Sequence, residues 1–513
     1  MNSWFKFLMG VSFLIIVAIG LSACSDKDND NNNGAASDGG SQEISVRINN
    51  DPDFLDPHMA EASITYQVIL NIFDGLLVGD TDGSLKPALA EEYDISEDGL
   101  TYTFDIREGV TFHNGDPLTV EDIQYSFERL MGTHTGEPLS SNFENIDALE
   151  TPDENTFVIK LKEPNSAFLT YLTALNSAIL PKSNDGKHNE NPIGTGPFQY
   201  ENYSPENNMV VVKNENYWKE GLPYLDKVTF VFQPDDQTAL LSLQSGQIDL
   251  VAVGAHRVPE VEDQFNLTYQ DSNSVLLVGF NHDREPFNDI RVRQAINYAV
   301  NKDDIIEATF SGYATKIGSN MSPAMADVYK EGLEDAYARD VAKAKDLLAE
   351  AGYPNGFQTT LSISSHAGMY TNVAQVIVEN LKDIGIDVEI EVVEWGVWLE
   401  RIYQGRDYDM TVIDFTGELS PYETIKRYIS GAGNNFFNFE NAEFDELMQD
   451  VIVEQDADRQ NELYGRAQEI LSEEAAAVYL ADYQIIWALN PELEGYKTYP
   501  YFFHDLEEVR YTE

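Results

Sequence analysis

Few residues in this chain are placed to do covalent or metal chemistry. Cys24 is the only cysteine among 513 residues, so neither an internal disulfide nor a cysteine-rich metal site can form. The eight histidines are scattered, with no pair at ligand spacing on one helix. His58, His113 and His366 could converge in space, but a single histidine in a turn more often holds the backbone. Carboxylates present the opposite problem. With 88 Asp and Glu, almost any acid–base pair can be imagined, so none is informative. There is no phosphate-cradle motif, since Gly194-Thr195-Gly196-Pro197 lacks both the lysine and the following helix. No H-E-x-x-H and no G-x-S-x-G occurs. The residues therefore read as a protein that is not an enzyme, with no metal and no cofactor.

The setting of Cys24 gives its thiol a different use. Residues 1–23 carry a single charge, Lys6, then the apolar run Phe7 to Leu21, then Ser22-Ala23. A short basic start, an apolar stretch and small residues describe an export signal. The run is short for a span, which needs about 20 residues, and an acidic stretch follows it directly. Leu21-Ser22-Ala23-Cys24 resembles the bacterial lipobox, in which the cysteine thiol is acylated, so Cys24 is expected to be the lipidation site. The alternative is an uncleaved signal anchor with an incidental cysteine. Residues 24–42, rich in Asn, Asp, Gly and Ser, read as a flexible tether that buries nothing.

Charge narrows the partners. Against those 88 acids stand 32 Lys and Arg, a net charge of −56, which a nucleic-acid polyanion would repel. Hydrophobic residues at 42% are ample for a core, so the body is folded rather than disordered. Its length suggests about three domains or lobes.

The elements that must position any site alternate between strand and helix. Ile44, Val46 and Ile48 alternate with Ser45 and Arg47 as a half-buried strand, followed by the turn-rich Asn49 to Pro57. Apolar spacing predicts a helix over Ile64 to Leu77. Thr119 with Asp122 is a capping-box pattern opening a helix with Val120, Ile123, Phe127 and Leu130 on one face. Strands are predicted at Leu100–Ile106, Phe157–Leu161, Asn208–Lys213, Val228–Phe232, Val275–Asn281, Val388–Val393 and Ala477–Leu489. Helices are predicted around Ala239–Leu243, from Ile290, and at Ala342–Ala351, Val373–Ile384 and Glu462–Leu471. This alternation predicts α/β lobes.

Several consecutive stretches resemble the family 5 extracellular solute-binding proteins of ABC importers, the peptide- and nickel-type receptors. They are Pro87 to Leu130 nearly throughout; NPIGTGPF, KNENYW and LQSGQIDL between Asn191 and Leu250; Phe280 to Ile306; then AKDLLAEAGYPNGF and LKDIGIDVEIEVVEWGVW. The resemblance implies a type II periplasmic-binding-protein fold, two lobes joined by a hinge plus an extra α/β domain. By analogy the hinge lobe I is 43–86 with 191–276 and 483–513, the extra domain II is 87–190, and lobe III is 277–482. It further implies capture of a peptide ligand by cleft closure and delivery to two transmembrane permease subunits with cytoplasmic ATPases. The protein would sit at the cell membrane, lipid-anchored on the extracellular face or on the periplasmic side. Monomer is the family default.

The resemblance also assigns site residues. In peptide-binding relatives an aspartate that pairs with the peptide's α-ammonium lies in a segment matched here by Asp414 to Pro421 (DFTGELSP). Glu418 falls at that position, with Phe415, Thr416 and Gly417 before it, and the loop is one residue shorter than usual. The plain alternative is that Glu418 is one more solvated acid. Trp395 resembles a pocket-lining tryptophan, Trp398 lies one turn on, and Phe54 on the Asp-rich turn is expected to face the cleft. Aromatic residues more often pack in a core. The arginine with which dipeptide receptors hold a C-terminal carboxylate is matched by Ser364, which favours a longer peptide, held in a strand-like mode. Nickel-chelate, opine or oligosaccharide binding on the same scaffold is the alternative, with His366 the only histidine near the expected pocket. A surface hydrolase or a sensory lipoprotein would be a different class.

Overall fold

The computed structural model of the chain describes residues 42–512, apart from 135, 417, 418 and 502. The export segment 1–23, Cys24 and nearly all of the tether lie outside the described residues. Among the described residues no helix is long and apolar enough to cross a membrane.

Twelve strands form the main sheet. In chain order they are β1 (Glu43–Ile48), β2 (Phe198–Ser204), β3 (Asn208–Lys213), β4 (Lys227–Phe232), β5 (Leu250–Val253) and β6 (Asn266–Asp271). There follow β7 (Val275–Phe280), β8 (Ala314–Lys316), β9 (Gln358–Ser364), β10 (Asp387–Val393), β11 (Met410–Phe415) and β12 (Ala477–Leu489). Their order across the sheet is β10-β9-β11-β7-β12-β5-β1-β4-β3-β2, and β6 and β8 also pair with β12. Helices including Ile290–Ala299, Gly368–Lys382 and Ala457–Glu473 follow strands as the alternation predicts.

β12 is the spine, and its register decides where the strand ends meet. Residues 477–481 pair antiparallel with β7, whereas 484–489 pair antiparallel with β6 and 486–489 with β5. On one side, β9 runs parallel to both β10 and β11. Phe415 at the end of β11 lies opposite Val275 at the start of β7, whose next residue pairs with Ala481. On the other side, β1 runs parallel to β4 and β5, and Val253 at the end of β5 pairs with Ile486. Both parallel trios therefore aim their carboxyl ends at residues 482–485. In open α/β sheets the crevice beyond such ends is where ligands bind.

Burial explains why the central strands read as they do. β7 (VLLVGF) is buried at every position, as a strand covered on both faces must be. β1 departs from the half-buried reading: Arg47 is buried, its guanidinium donating to the carbonyls of Gln233 and Pro234 and pairing with Asp236 at 2.7 Å. The face that carries Arg47 opens toward the start of the strand, where Glu43 is exposed and Ser45 partly buried, and closes at Arg47, whose guanidinium is satisfied internally.

The predicted helix over Ile64 to Leu77 is a correction. The helix is Ser63–Ile69 only. Beyond it the carbonyls of Asn71 and Ile72 accept from the N–H groups of Phe198 and Gly196, both at 3.0 Å. A β-carbon on Gly194 would lie 2.0 Å from the Ile72 oxygen. Tertiary pairing to a glycine corner thus outcompetes helical bonding.

Residues 90–161 add a four-stranded antiparallel sheet in the order Ala90–Ile95, Thr101–Ile106, Thr156–Leu161, Ile146–Glu150. The helix Val120–Leu130 covers it and starts with the predicted capping box, Thr119 and Asp122 each accepting the other's backbone N–H. A buried pair joins this helix to the turn after β1, with Arg129 Nη1 3.0 Å and Nη2 2.5 Å from the two carboxylate oxygens of Asp56. Apolar side chains gather in three large clusters, around β7, β9 and β11, around β1 and β4, and on the four-stranded sheet.

Candidate functional site

The carboxyl ends of β9, β10 and β11 carry, one or two residues on, His366, Trp395 and Thr416. Trp395 is 40% exposed and lies flat on Trp398, ring centroids 5.2 Å apart and planes 8° from parallel. Trp398 is only 2% exposed, and its Nε1 donates to Thr411 Oγ1 at 3.0 Å. Thr411 Oγ1 in turn donates to the Ser362 carbonyl at 2.8 Å. An exposed indole is thus fixed from behind by a chain of buried bonds. Trp398 belongs to the core and presents no free face of its own.

His366 stands beside this platform, its ring 4.4 Å from Trp395 and 5.2 Å from Tyr370. Its Nδ1 is 2.8 Å from Ser364 Oγ. Partial burial outweighs the charge of Asp414 and holds its pKa below the ordinary histidine value, so the ring is neutral at pH 7. Ser364 itself is buried.

Asp414 closes the cluster. Tyr370 Oη donates to its Oδ1, and Tyr483 Oη on β12 donates to its Oδ2 at 2.9 Å. Burial, with Asp414 adding to it, pushes both phenols well above the ordinary tyrosine value, so both stay protonated donors. Tyr483 is held by Phe310, stacked at 5.3 Å with parallel planes. Next along the chain, Phe415 is half-buried beneath the Arg427 guanidinium, 3.5 Å above its ring. Thr416 is exposed. Gly417 and Glu418 lie outside the described residues. Leu419 is buried again, in a cluster with Tyr499 and Tyr501.

Phe54 lies on the other side of the hinge, half-buried on the loop that leaves β1. Asp53 fixes that loop, accepting from Thr65 Oγ1 at 2.5 Å and from the backbone of Phe54, Glu61 and Ala62. Burial raises its pKa, but these four bonds together lower it further. Near the hinge a cavity of about 380 Å³ is lined by Asn273, Met325, Leu419, Pro421 and Pro500 among others. Direct bonds also join the four-stranded domain to the β11 side. Tyr171 Oη donates to Glu423 at 2.6 Å, and Ser166 donates through N and Oγ to the carbonyls of Ile452 and Val451.

The structure places Trp395 just after β10 and Phe415 and Thr416 at the end of β11, on either side of β9, with Trp398 beneath Trp395. It does not bring the three histidines together, since His58 donates to Ala178 O and His113 bonds to Gly196 O, far from His366 in the fold. Among the described residues no three His, Cys, Asp or Glu side chains are grouped to hold a metal. Tyr370, Asp414 and Tyr483 were not singled out from the sequence. The available signal was the polar Asp482-Tyr483-Gln484 interrupting an otherwise apolar strand.

Comparisons with known proteins agree with this arrangement. The model of the bacterial extracellular solute-binding proteins, family 5 (middle), matches residues 84–436. The chain is 30% identical over 464 residues to heme-binding protein A of Haemophilus influenzae, covering 82% of this chain and 83% of that protein. It is 30% identical over 478 residues to the glutathione-binding protein GsiB of Pectobacterium atrosepticum, covering 90% and 92%. Among solved structures, the ABC transporter-associated periplasmic binding protein DppA of Helicobacter pylori, in complex with the peptide STSA, superposes with a TM-score of 0.77. It is 28% identical and covers 92% of this chain and 98% of its own.

Proposed function

This chain belongs to the family 5 bacterial extracellular solute-binding proteins, and on that premise we propose how its lobes hold a ligand. Its fold is the bilobed α/β fold of the type II periplasmic binding proteins. It is a substrate-binding protein rather than an enzyme, the extracellular or periplasmic peptide receptor of an ABC import system. The observation that carries the mechanism is the register of β12, which turns the carboxyl ends of two parallel trios toward one hinge.

Lobe I is assigned 43–86, 191–276 and 483–513, the extra domain 87–190, and lobe III 277–482. The separation of the three apolar clusters supports this partition. Trp395 and Phe415 form the aromatic wall with Thr416, Phe54 faces it from lobe I, and Gly417 and Glu418, next in the chain, are assigned to ligand binding by the family resemblance. Trp398 acts through Trp395. Glu418 pairs with the peptide's α-ammonium, a charge-assisted bond that strengthens as closure excludes water. Ser364 is buried against His366, which suits a ligand whose far carboxylate is not clamped at that point. Acylation of Cys24, with residues 25–41 as tether, holds the body at the outer membrane face, where closure presents a surface to the two permease subunits. The lipobox-like Leu21-Ser22-Ala23-Cys24 supports that anchor.

Titration of a soluble form beginning at Ser41 with peptides of two to ten residues, glutathione and haem, followed by tryptophan fluorescence, tests this reading. Saturable binding of peptides is expected. Tight binding of haem with no response to any peptide overturns it. Glu418→Gln is expected to weaken free-amine peptides about tenfold while leaving N-acetylated ones nearly unchanged. Equal loss for both removes Glu418 from the site.

A further inference from the structure

Asp414 is held like a recognition group and lacks a counter-charge. Each of its oxygens accepts one phenol, Tyr370 on Oδ1 and Tyr483 on Oδ2. A carboxylate has about four acceptor positions, so two remain. The residue is half-buried rather than sealed. The donors are themselves locked, Tyr370 by full burial and Tyr483 by its stack on Phe310, so the carboxylate is oriented before any ligand arrives.

Among the described residues no ion pair reaches Asp414. Arg427 lies over the neighbouring Phe415 ring and donates through Nε to the Thr424 carbonyl. His366, whose ring touches that of Tyr370, is neutral at pH 7. Two phenol dipoles do not neutralise a full charge. Excluding water from this crevice would leave an uncompensated carboxylate, which is costly unless a cation enters with the ligand. His366 also connects Asp414 to the exposed face of Trp395, through Tyr370 on one side and the indole on the other. A carboxylate suits a guanidinium or an ammonium by charge-assisted bonding, and the Trp395 indole, reached through the Tyr370 and His366 rings, adds cation–π attraction for a ligand long enough to span both.

We infer that Asp414, oriented by Tyr370 and Tyr483, is a specificity-determining residue that takes a cationic group of the ligand, so that the receptor favours cationic peptides. This rests on the peptide-receptor reading and is separate from the role given to Glu418. The cation is a lysine or arginine side chain of the peptide, since the α-ammonium is given to Glu418.

The test is calorimetric titration of the wild-type protein and Asp414→Asn, an isosteric change, with thermal unfolding as a control for folding. Four short peptides of matched length are used: free-amine and N-acetylated, each with and without one arginine. Asp414→Asn is expected to weaken cationic peptides by about tenfold or more and to leave the acetylated uncharged peptide within about twofold. Loss confined to the arginine peptides sustains the inference, and loss that follows the free amine alone overturns it, because the α-ammonium rather than a side chain then depends on Asp414. An equal effect on charged and uncharged peptides, or none, overturns the inference. Should the wild type bind none of the four, the peptide reading falls. Agmatine then serves as probe: a saturable tryptophan response lost in Asp414→Asn sustains the role of Asp414, and no response in the wild type removes it.

Discussion

Two carboxylates flank Tyr483, one through space and one along the chain, and they are held in different ways. Asp414 receives the Tyr483 phenol and that of Tyr370, and keeps part of its surface open. Asp482, the preceding residue on β12, projects to the opposite face. It is 4% exposed and accepts from Ser322 Oγ at 2.5 Å, Ser272 Oγ at 2.7 Å and Ser274 N at 3.1 Å. Those donors come from the β6–β7 connection and from the segment after β8, so Asp482 pins the crossover where β12 changes partners. Among the described residues neither carboxylate pairs with a cation. One accepts three bonds and is sealed inside the hinge, and the other accepts two and is half-buried. The number of fixed donors and the remaining open surface, more than the charge, separate a structural acid from one able to take a ligand.

The largest expected effect is on stability. Asp482→Ala leaves two hydroxyls and one N–H unmatched in a dry hinge, and is expected to lose about 2–4 kcal/mol in urea unfolding. Asp414→Ala is expected to lose about 1 kcal/mol, because water can replace a half-exposed acceptor. Equal losses would break the comparison.

The pH dependence sharpens it. Burial pushes the Asp482 pKa up to about 6 from 3.8, even though Ser322, Ser272 and the Ser274 N–H act against the rise. Asp271 is the charged group that reinforces it, and Gln484 binds Asp271 from the same strand. A raised folded-state pKa means the native state holds its proton more tightly than the unfolded chain. The associated stability is present below pH 4 and is lost as pH rises through about 6. Relative to Asp482→Asn, the wild type is expected to lose stability on the order of 2–3 kcal/mol between pH 4 and pH 7. Parallel unfolding curves for the two proteins over that range would contradict the buried-acid reading.

What could be read from the sequence follows the same division between local and long-range causes. The strand Ala477–Leu489 and the cap at Thr119 were legible because apolar runs and capping chemistry are local. The family resemblance pointed to the segment Asp414 to Pro421, but not to the register that brings Asp414 to Tyr483, which are 69 positions apart in the chain. Arg47 read as a solvent position because alternation cannot reveal that Gln233, Pro234 and Asp236, 186 to 189 positions on, close over one end of that face. The helix predicted to Leu77 overran because nothing between Leu70 and Leu77 announces that Gly194 and Gly196 will take its carbonyls. Phe198–Ser204, a strand at the sheet edge, is half-exposed along most of its length and so shows no clean apolar pattern. Trp398 lies one helical turn from Trp395, and only packing shows that it is the buried indole beneath the exposed one.

The smallest expected effect isolates Tyr483 itself. Tyr483→Phe removes one donor to Asp414 while keeping the ring stacked on Phe310, and it leaves the Asp482 side chain with all three of its donors. If the two carboxylates act independently, stability should fall by only about 1 kcal/mol, the net worth of one hydrogen bond. The pH dependence assigned to Asp482 should remain unchanged. Affinity for cationic peptides should drop about threefold, because Asp414 keeps its charge and its Tyr370 bond but loses half of its orientation. A loss of the pH-dependent stability in Tyr483→Phe would show that the hinge acid and the cleft acid are coupled through this one residue. Their division into structural and recognition roles would then have to be replaced by a single network spanning hinge and cleft.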